Sequence, residues 1–259
     1  MDLNIAGRRA LVTGASKGLG RSCAYALARA GVELTIVARD AHTLDETTKA
    51  IRNDTGAVVH AVAADVTSAA GRAAILSACP NPDILVNNAG GKPPGNFRNW
   101  DRDDWISGID LMMLAPIEMI RGTFDGMAER GFGRIVNIVS RSVKAAHAEL
   151  GLSNAARSGL VGFVAGIARE HAHRNVTVNN LLPGIFATGA QIHHVEKLSE
   201  ESGEAFDAIW QRRASGNPSK RFGNPDELGN YCAFLCSDHA GFITGQNLLI
   251  DGGDYRGTF

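Results

Sequence analysis

Short apolar, β-branched runs alternate along the chain with longer stretches whose apolar positions recur every three or four residues. The runs Arg9–Thr13, Glu33–Ala38, 58–63, Ile84–Asn87, 134–139, 176–182 and Asn247–Ile250 read as strands. Between them, 18–30, 41–54, Ala69–Ala78, 101–130, 154–173 and 225–236 read as helices. Alternation at this spacing predicts βαβ units and a parallel sheet, with right-handed crossovers. Residues 34–37 and 84–86 are apolar at nearly every position, the pattern of strands covered by helices on both faces. The expected fold is therefore α/β, a doubly wound parallel sheet of about seven strands in a single domain over 1–259. One segment breaks the rhythm. Residues 191–215 are rich in Glu and His and read as one or two helices forming a substrate lid over the sheet edge, with a solvated insertion as the rival reading.

The strongest local signal is Thr-Gly-Ala-Ser-Lys-Gly-Leu-Gly at 13–20, which follows an apolar strand and opens a helix. In that context it is a Rossmann-like dinucleotide loop. Gly14 allows the tight turn, Gly18 lets backbone N–H groups approach a pyrophosphate, and Gly20 lets the helix pack on the sheet. Ser16, Lys17 and Leu19 fill out the loop, and the helix N-terminus favours an anion. Asp65, with Val66 after it, ends the third strand, where a carboxylate can accept from an adenine amino group or serve the next turn. Asn87, Ala89 and Gly90 end the fourth strand, where small residues let a cofactor lie on the backbone. The second strand ends in Ala38-Arg39, not in the acidic residue that holds an NAD ribose. Arg39, with Lys17 nearby, suits a 2′-phosphate, so NADP(H) is expected over NAD(H).

Composition narrows the partners. A net charge of -1 argues against nucleic acid and anionic membrane surfaces. No apolar run approaches the roughly 20 residues needed to span a bilayer, and the N-terminus lacks the apolar stretch of a signal peptide. Cys23, Cys79, Cys232 and Cys236 form no close pair and have no His cluster beside them. They read as small buried hydrophobes, with no metal site, and reduced thiols fit the cytosol. A cytoplasmic protein acting on a small molecule is expected.

Together these motifs, with Gly-Arg-Ile-Val-Asn-Ile-Val-Ser at 133–140, Leu-Leu-Pro-Gly-Ile-Phe-Ala-Thr at 181–188 and the tail 221–253, resemble the short-chain dehydrogenase/reductases. The likeness is to members labelled 3-oxoacyl-carrier-protein reductases and covers about residues 4–253. It implies that Asp65 contacts adenine and that Asn87 supports the central strand. It also implies that Pro183 and Gly184 flank the nicotinamide, and that Ile185 and Thr188 serve its carboxamide. A homo-oligomer, tetramer or dimer, is implied as well.

The resemblance fails at the centre of the family's chemistry. Ser140 stands where the family has its serine. The family's tyrosine and, one helical turn on, its lysine fall at Ser153 and Arg157, and the supporting asparagine falls at Met112. The three tyrosines, Tyr25, Tyr231 and Tyr255, lie far from the site in sequence. A serine hydroxyl is shorter and far less acidic than a phenol, and an arginine does not titrate near neutral pH. Lys144 is the candidate to move the proton, with His147 and Glu149 as rivals; Arg157 keeps the charge to hold the ribose. The candidate catalytic group is thus Ser140, Lys144, Ser153 and Arg157. The expected activity is an NADP(H)-dependent interconversion of a carbonyl and an alcohol. The alternatives are a cofactor-binding protein with weak or no redox activity and a lyase resembling the halohydrin dehalogenases, which share the arginine but keep the tyrosine.

Overall fold

The computed structural model describes residues 1–258. Seven strands, β1 (Arg9–Thr13), β2 (Glu33–Ala38), β3 (Val59–Ala63), β4 (Ile84–Asn87), β5 (Gly133–Ile138), β6 (Val176–Pro183) and β7 (Asn247–Ile250), form one sheet. The order is β3-β2-β1-β4-β5-β6-β7, and every pair is parallel. The chain winds outward from β1 in one direction and from β4 in the other. The two halves part at the carboxyl ends of β1 and β4, where a crevice opens that suits a ligand.

Among the described residues ten α-helices connect the strands: α1 (Gly18–Arg29), α2 (Ala41–Thr55), α3 (Ala69–Ala78), α4 (Arg102–Ile109), α5 (Ala115–Arg121), α6 (Phe124–Glu129), α7 (Gly151–Ile167), α8 (Gly189–Ser202), α9 (Phe206–Gly216) and α10 (Pro225–Leu235). The period-2 alternation of the strands divides their side chains between two cores. In β1, Ala10 and Val12 face Leu27, Leu228 and Cys232 of α1 and α10. Leu11 between them faces Met119, Leu160 and Val164 of α5 and α7. Both faces are covered, as the unbroken apolar runs require.

The predicted strands and the first three and last helices fall within one residue of these bounds. Two long helices do not. The stretch 101–130 divides into α4, a widened π turn over Asp110–Leu114, α5 and α6. Pro116, in the first turn of α5, has no N–H to donate backward, which loosens the helix just before it. Beyond α5, Thr123 turns its hydroxyl onto the Met119 carbonyl at 2.9 Å and the chain reorients. The stretch 154–173 becomes α7, starting three residues earlier at Gly151 and ending at Ile167, before a short turn over Ala172–Arg174. The segment after β6 is two helices, α8 and α9.

Candidate functional site

The loop between β1 and α1 is built by close approach. Gly14 and Gly18 have φ of +59° and +57°, in the left-handed region. A Cβ on Gly14 would stand 2.5 Å from the Asn88 carbonyl oxygen, and one on Gly20 would stand 2.3 Å from that of Gly14. Asn88 locks the turn: its N–H donates to Thr13 Oγ1 and its Nδ2 to the Gly14 carbonyl, each at 3.0 Å. The Ser16 carbonyl accepts from Thr47 Oγ1 at 2.9 Å, and Leu19 packs on the core below. Asp40, Ser68, Thr188 and Asn224 cap α2, α3, α8 and α10 with side-chain hydrogen bonds. The N-terminus of α1 has no such cap, and no acidic residue sits in its first turn. Its free N–H groups at the switch point fit a pyrophosphate.

At the end of β2, Arg39 is exposed and makes no hydrogen bond or ion pair among the described residues. Asp65 Oδ1 accepts from the Thr67 N–H and hydroxyl at 2.9 and 2.8 Å, which lowers its pKa; the Arg39 charge lowers it further. Its other carboxylate oxygen has no partner among the described residues, so the local turn leaves half of the group for a ligand. Ser68 supplies the cap of α3, and the Val66 carbonyl accepts from Arg72 Nη1 at 2.8 Å. Lys17 is near enough to Asp40 to lower its pKa, after the larger effect of the Thr43 hydrogen bonds. Past β4, Ala89 is half-buried, and a Cβ on Gly90 would meet nothing within 4 Å.

Asn87 begins a feature that sequence reasoning missed. It donates to Asn137 Oδ1 at 2.9 Å, Asn137 donates to Asn180 Oδ1 at 2.9 Å, and Asn180 donates to Asn247 Oδ1 at 2.8 Å. The four asparagines are in register across β4, β5, β6 and β7. Asn87 and Asn137 stand at or near the carboxyl ends of β4 and β5, so this end of the amide chain fixes the floor of the crevice. Only the register reveals it; which asparagine of one strand meets that of the next carries no signal in sequence.

Beyond β6, Pro183 ends the strand, the Gly184 N–H donates to the Ile250 carbonyl at 3.0 Å, and the Ile185 carbonyl accepts from the Gly223 N–H at 2.9 Å. Thr188 Oγ1 accepts from the Gln191 N–H at 3.4 Å, so the hydroxyl caps α8 while its own proton stays available.

The four candidate catalytic residues separate into two groups. Ser140 follows β5, and its Oγ accepts from the Ser142 N–H at 3.1 Å, shaping a one-turn 3₁₀ helix over Arg141–Val143. Ser153 and Arg157 lie one turn apart on the inner face of α7 with Leu152, Ala156 and Leu160. Arg157 Nε donates to Ser153 Oγ at 3.1 Å and Nη1 donates to the Ile138 carbonyl at 2.9 Å. The guanidinium is 8% exposed and pairs with no carboxylate among the described residues. Burial pulls its pKa down to about 10. Its Nη2 has no protein partner among the described residues. Met112 is buried on the widened turn and offers no polar group there.

Lys144 closes the serine turn and has no carboxylate partner among the described residues. Its amine stands 5.7 Å from the centroid of the Tyr255 ring. Tyr255 is far from Lys144 in sequence, and the fold brings the two together. Arg141 anchors the same tail through an ion pair with Asp254 and also donates to His147 Nε2 at 3.0 Å. His147 is thereby spent on Arg141, and Glu149 is exposed. The four cysteines are buried and free; Cys232 lies against Cys23 and Cys236, whose hydrogen bonds push its thiol pKa up. No helix among the described residues is long and apolar enough to cross a membrane.

A doubly wound parallel sheet with a glycine-rich turn and an uncapped helix at its switch point defines a dinucleotide-binding α/β protein. Comparison with known proteins agrees. The family model described as enoyl-(acyl carrier protein) reductase matches residues 14–254. Acetoacetyl-CoA reductase of Shinella zoogloeoides is 33% identical over 252 residues, 96% of this chain and 98% of that protein. The NADPH-dependent reductase BacG of Bacillus subtilis is 32% identical, covering 96% and 98%. The structure of L-sorbose reductase from Gluconobacter frateurii, complexed with NADPH and L-sorbose, superposes with a TM-score of 0.95 at 30% identity, covering 99% and 100%. The chain belongs to the short-chain dehydrogenase/reductase family.

Proposed function

We propose that this protein is an NADP(H)-dependent oxidoreductase that interconverts a carbonyl and an alcohol on a small substrate, with an atypical proton-transfer group. Its relatives include reductases named for NADPH, and a similar structure holds NADPH with a sugar substrate. The uncapped α1 terminus and the unspent Arg39 suit a pyrophosphate and a 2′-phosphate. When bound, the nicotinamide supplies or accepts the hydride.

The observation that carries the catalytic assignment is the closed Ser153–Arg157 pair. These two residues occupy the family's tyrosine and lysine positions, yet the serine oxygen is held by the guanidinium and neither group titrates near neutrality. They position and do not transfer. Ser140 Oγ accepts only from the backbone, so its proton is free to donate to the substrate oxygen. Lys144, the nearby amine with no carboxylate partner, gives a proton to that oxygen in reduction and takes one back in oxidation. Arg157 Nη2 holds the ribose. The protein works as a homo-oligomer in the cytoplasm; Ile106 and Leu114, exposed on and just after α4, give it an apolar face for a second copy.

The test is stopped-flow NADPH oxidation with a panel of small ketones. Lys144→Met is expected to lower turnover by roughly 10²–10⁴ while leaving cofactor affinity unchanged. Full activity in that variant sinks the assignment. Cofactor binding without turnover on any ketone favours a binding protein of the same fold.

A further inference from the structure

Beyond β7 the chain turns back across the carboxyl ends of the strands, and the turn is closely built. Gly252 and Gly253 stand side by side in the left-handed region, with φ of +68° and +83°, which reverses the chain within two residues. Asp251 organises the reversal. Its Oδ1 accepts from the Gly253 N–H at 3.0 Å and its Oδ2 from the Tyr255 N–H at 2.8 Å. Asp251 is itself fixed, because its carbonyl accepts from Nδ2 of the buried Asn217 at 2.8 Å. A Cβ on Gly184 would stand 2.7 Å from the Asp251 Cβ, so Asp251 lies directly against the turn after β6.

From this root the tail reaches the turn that Ser140 opens after β5. Asp254 forms an ion pair with Arg141, and the Tyr255 ring centroid lies 5.7 Å from Lys144 Nζ. Two consecutive tail residues thus meet two side chains three residues apart on one turn. In the sheet order β5-β6-β7 the tail passes over the end of β6, where Pro183 and Gly184 stand, and straps the two sides together. The ring is the partner that holds Lys144: the amine makes no hydrogen bond and no ion pair among the described residues. A free lysine stem samples many rotamers, whereas a proton-transfer group must come within about 2.6–3.2 Å of its target or reach it through one water. An aromatic face within about 6 Å attracts an ammonium and narrows that range. A carboxylate would hold the amine too, but as a charged acceptor it would bind the proton that the substrate needs.

We infer that Tyr255 is a positioning residue of the active site: its ring holds the Lys144 amine at the serine turn, and the Arg141–Asp254 ion pair holds the ring in place. The acting part of Tyr255 is the aromatic face, not the phenol proton. The inference rests on the assignment of proton transfer to Lys144, which it deepens by naming what orients the amine.

The experiment joins turnover to NMR. In protein carrying ¹³C-lysine, the Lys144 methylene beside the amine is identified by its loss in Lys144→Met, and an aromatic face shifts it upfield. Tyr255→Phe keeps the ring, and Tyr255→Leu keeps apolar bulk without it. Tyr255→Leu is expected to lose the upfield shift and to lower kcat about twofold to thirtyfold, the range of a cation–ring contact, with NADPH Kd unchanged. Turnover is read as NADPH oxidation with the small ketone that wild type reduces fastest. Tyr255→Phe restores both readouts, and in a Lys144→Met background Tyr255→Leu has no further effect on kcat. If Tyr255→Leu keeps full turnover, if Tyr255→Phe is no better than Tyr255→Leu, or if the loss persists in the Lys144→Met background, the inference is overturned. Failure of the underlying assignment looks different. Lys144→Met then keeps full turnover while the methylene shift still depends on the ring, which sinks the proton-transfer reading and the positioning role with it and leaves a strap that serves the fold alone.

Discussion

Replacing Arg157 by Met separates what this side chain does for the fold from what it does for the cofactor. Met keeps an unbranched apolar stem to pack in α7. The native guanidinium is held in the fold with its pKa lowered from its ordinary value to about 10 by burial. At 1.36 kcal/mol per unit, holding that charge costs about 3 kcal/mol of stability at neutral pH. Against this stand two hydrogen bonds, to Ser153 Oγ and the Ile138 carbonyl, each worth about 1.5–3 kcal/mol when the donor is charged. The opposing effects nearly cancel, so Arg157→Met is expected to lose no more than about 3 kcal/mol in urea unfolding. Folding lowers the pKa of this base, so the penalty is full below about pH 10. It shrinks as pH rises above the folded value toward the ordinary one, so wild type gains on the variant from about pH 10 upward. Cofactor affinity follows a different course. Loss of the Nη2 donor toward the ribose raises the NADPH Kd by about tenfold to a hundredfold, read by fluorescence titration. A variant that binds NADPH like wild type refutes the ribose assignment. One that loses far more stability than the two hydrogen bonds can supply refutes the energy balance.

Two further predictions test the cofactor end and the crevice floor. Arg39→Ala should weaken NADPH by about 1.5–3 kcal/mol and leave NADH nearly unchanged; equal losses for both cofactors in paired titrations would rule out a 2′-phosphate contact. Asn137→Leu leaves Asn87 Nδ2 and Asn180 Oδ1 buried without partners. At about 1–3 kcal/mol for each orphan, it should cost about 2–6 kcal/mol in denaturant unfolding, and a loss below about 1 kcal/mol would show that the amide chain is not needed.

The sequence by itself determined the class of fold and the glycine-rich turn, and it carried the expectation of a break in the family's catalytic pattern. Each of these is local. Period-2 and helical patterns mark the elements, and Gly14, Gly18 and Gly20 are demanded by contacts within one βα turn. The reading that Ser153 stands in for a phenol rests on a single register. Sequence also marked the segment after β6 as a break in the rhythm, without showing whether it was one helix or two. What tertiary structure decided was every relation between residues distant along the chain. It aligned Asn87, Asn137, Asn180 and Asn247 into one hydrogen-bonded chain, because parallel register is set by the packing of whole strands. It split the stretch 101–130, because Pro116 and Thr123 act through backbone bonds that apolar periodicity does not report. It folded the tail back so that Tyr255 stands over Lys144. It also turned Arg213 inward and left Arg212 outside, a choice of helix face that depends on how α9 packs against α8 and not on the identity of either arginine.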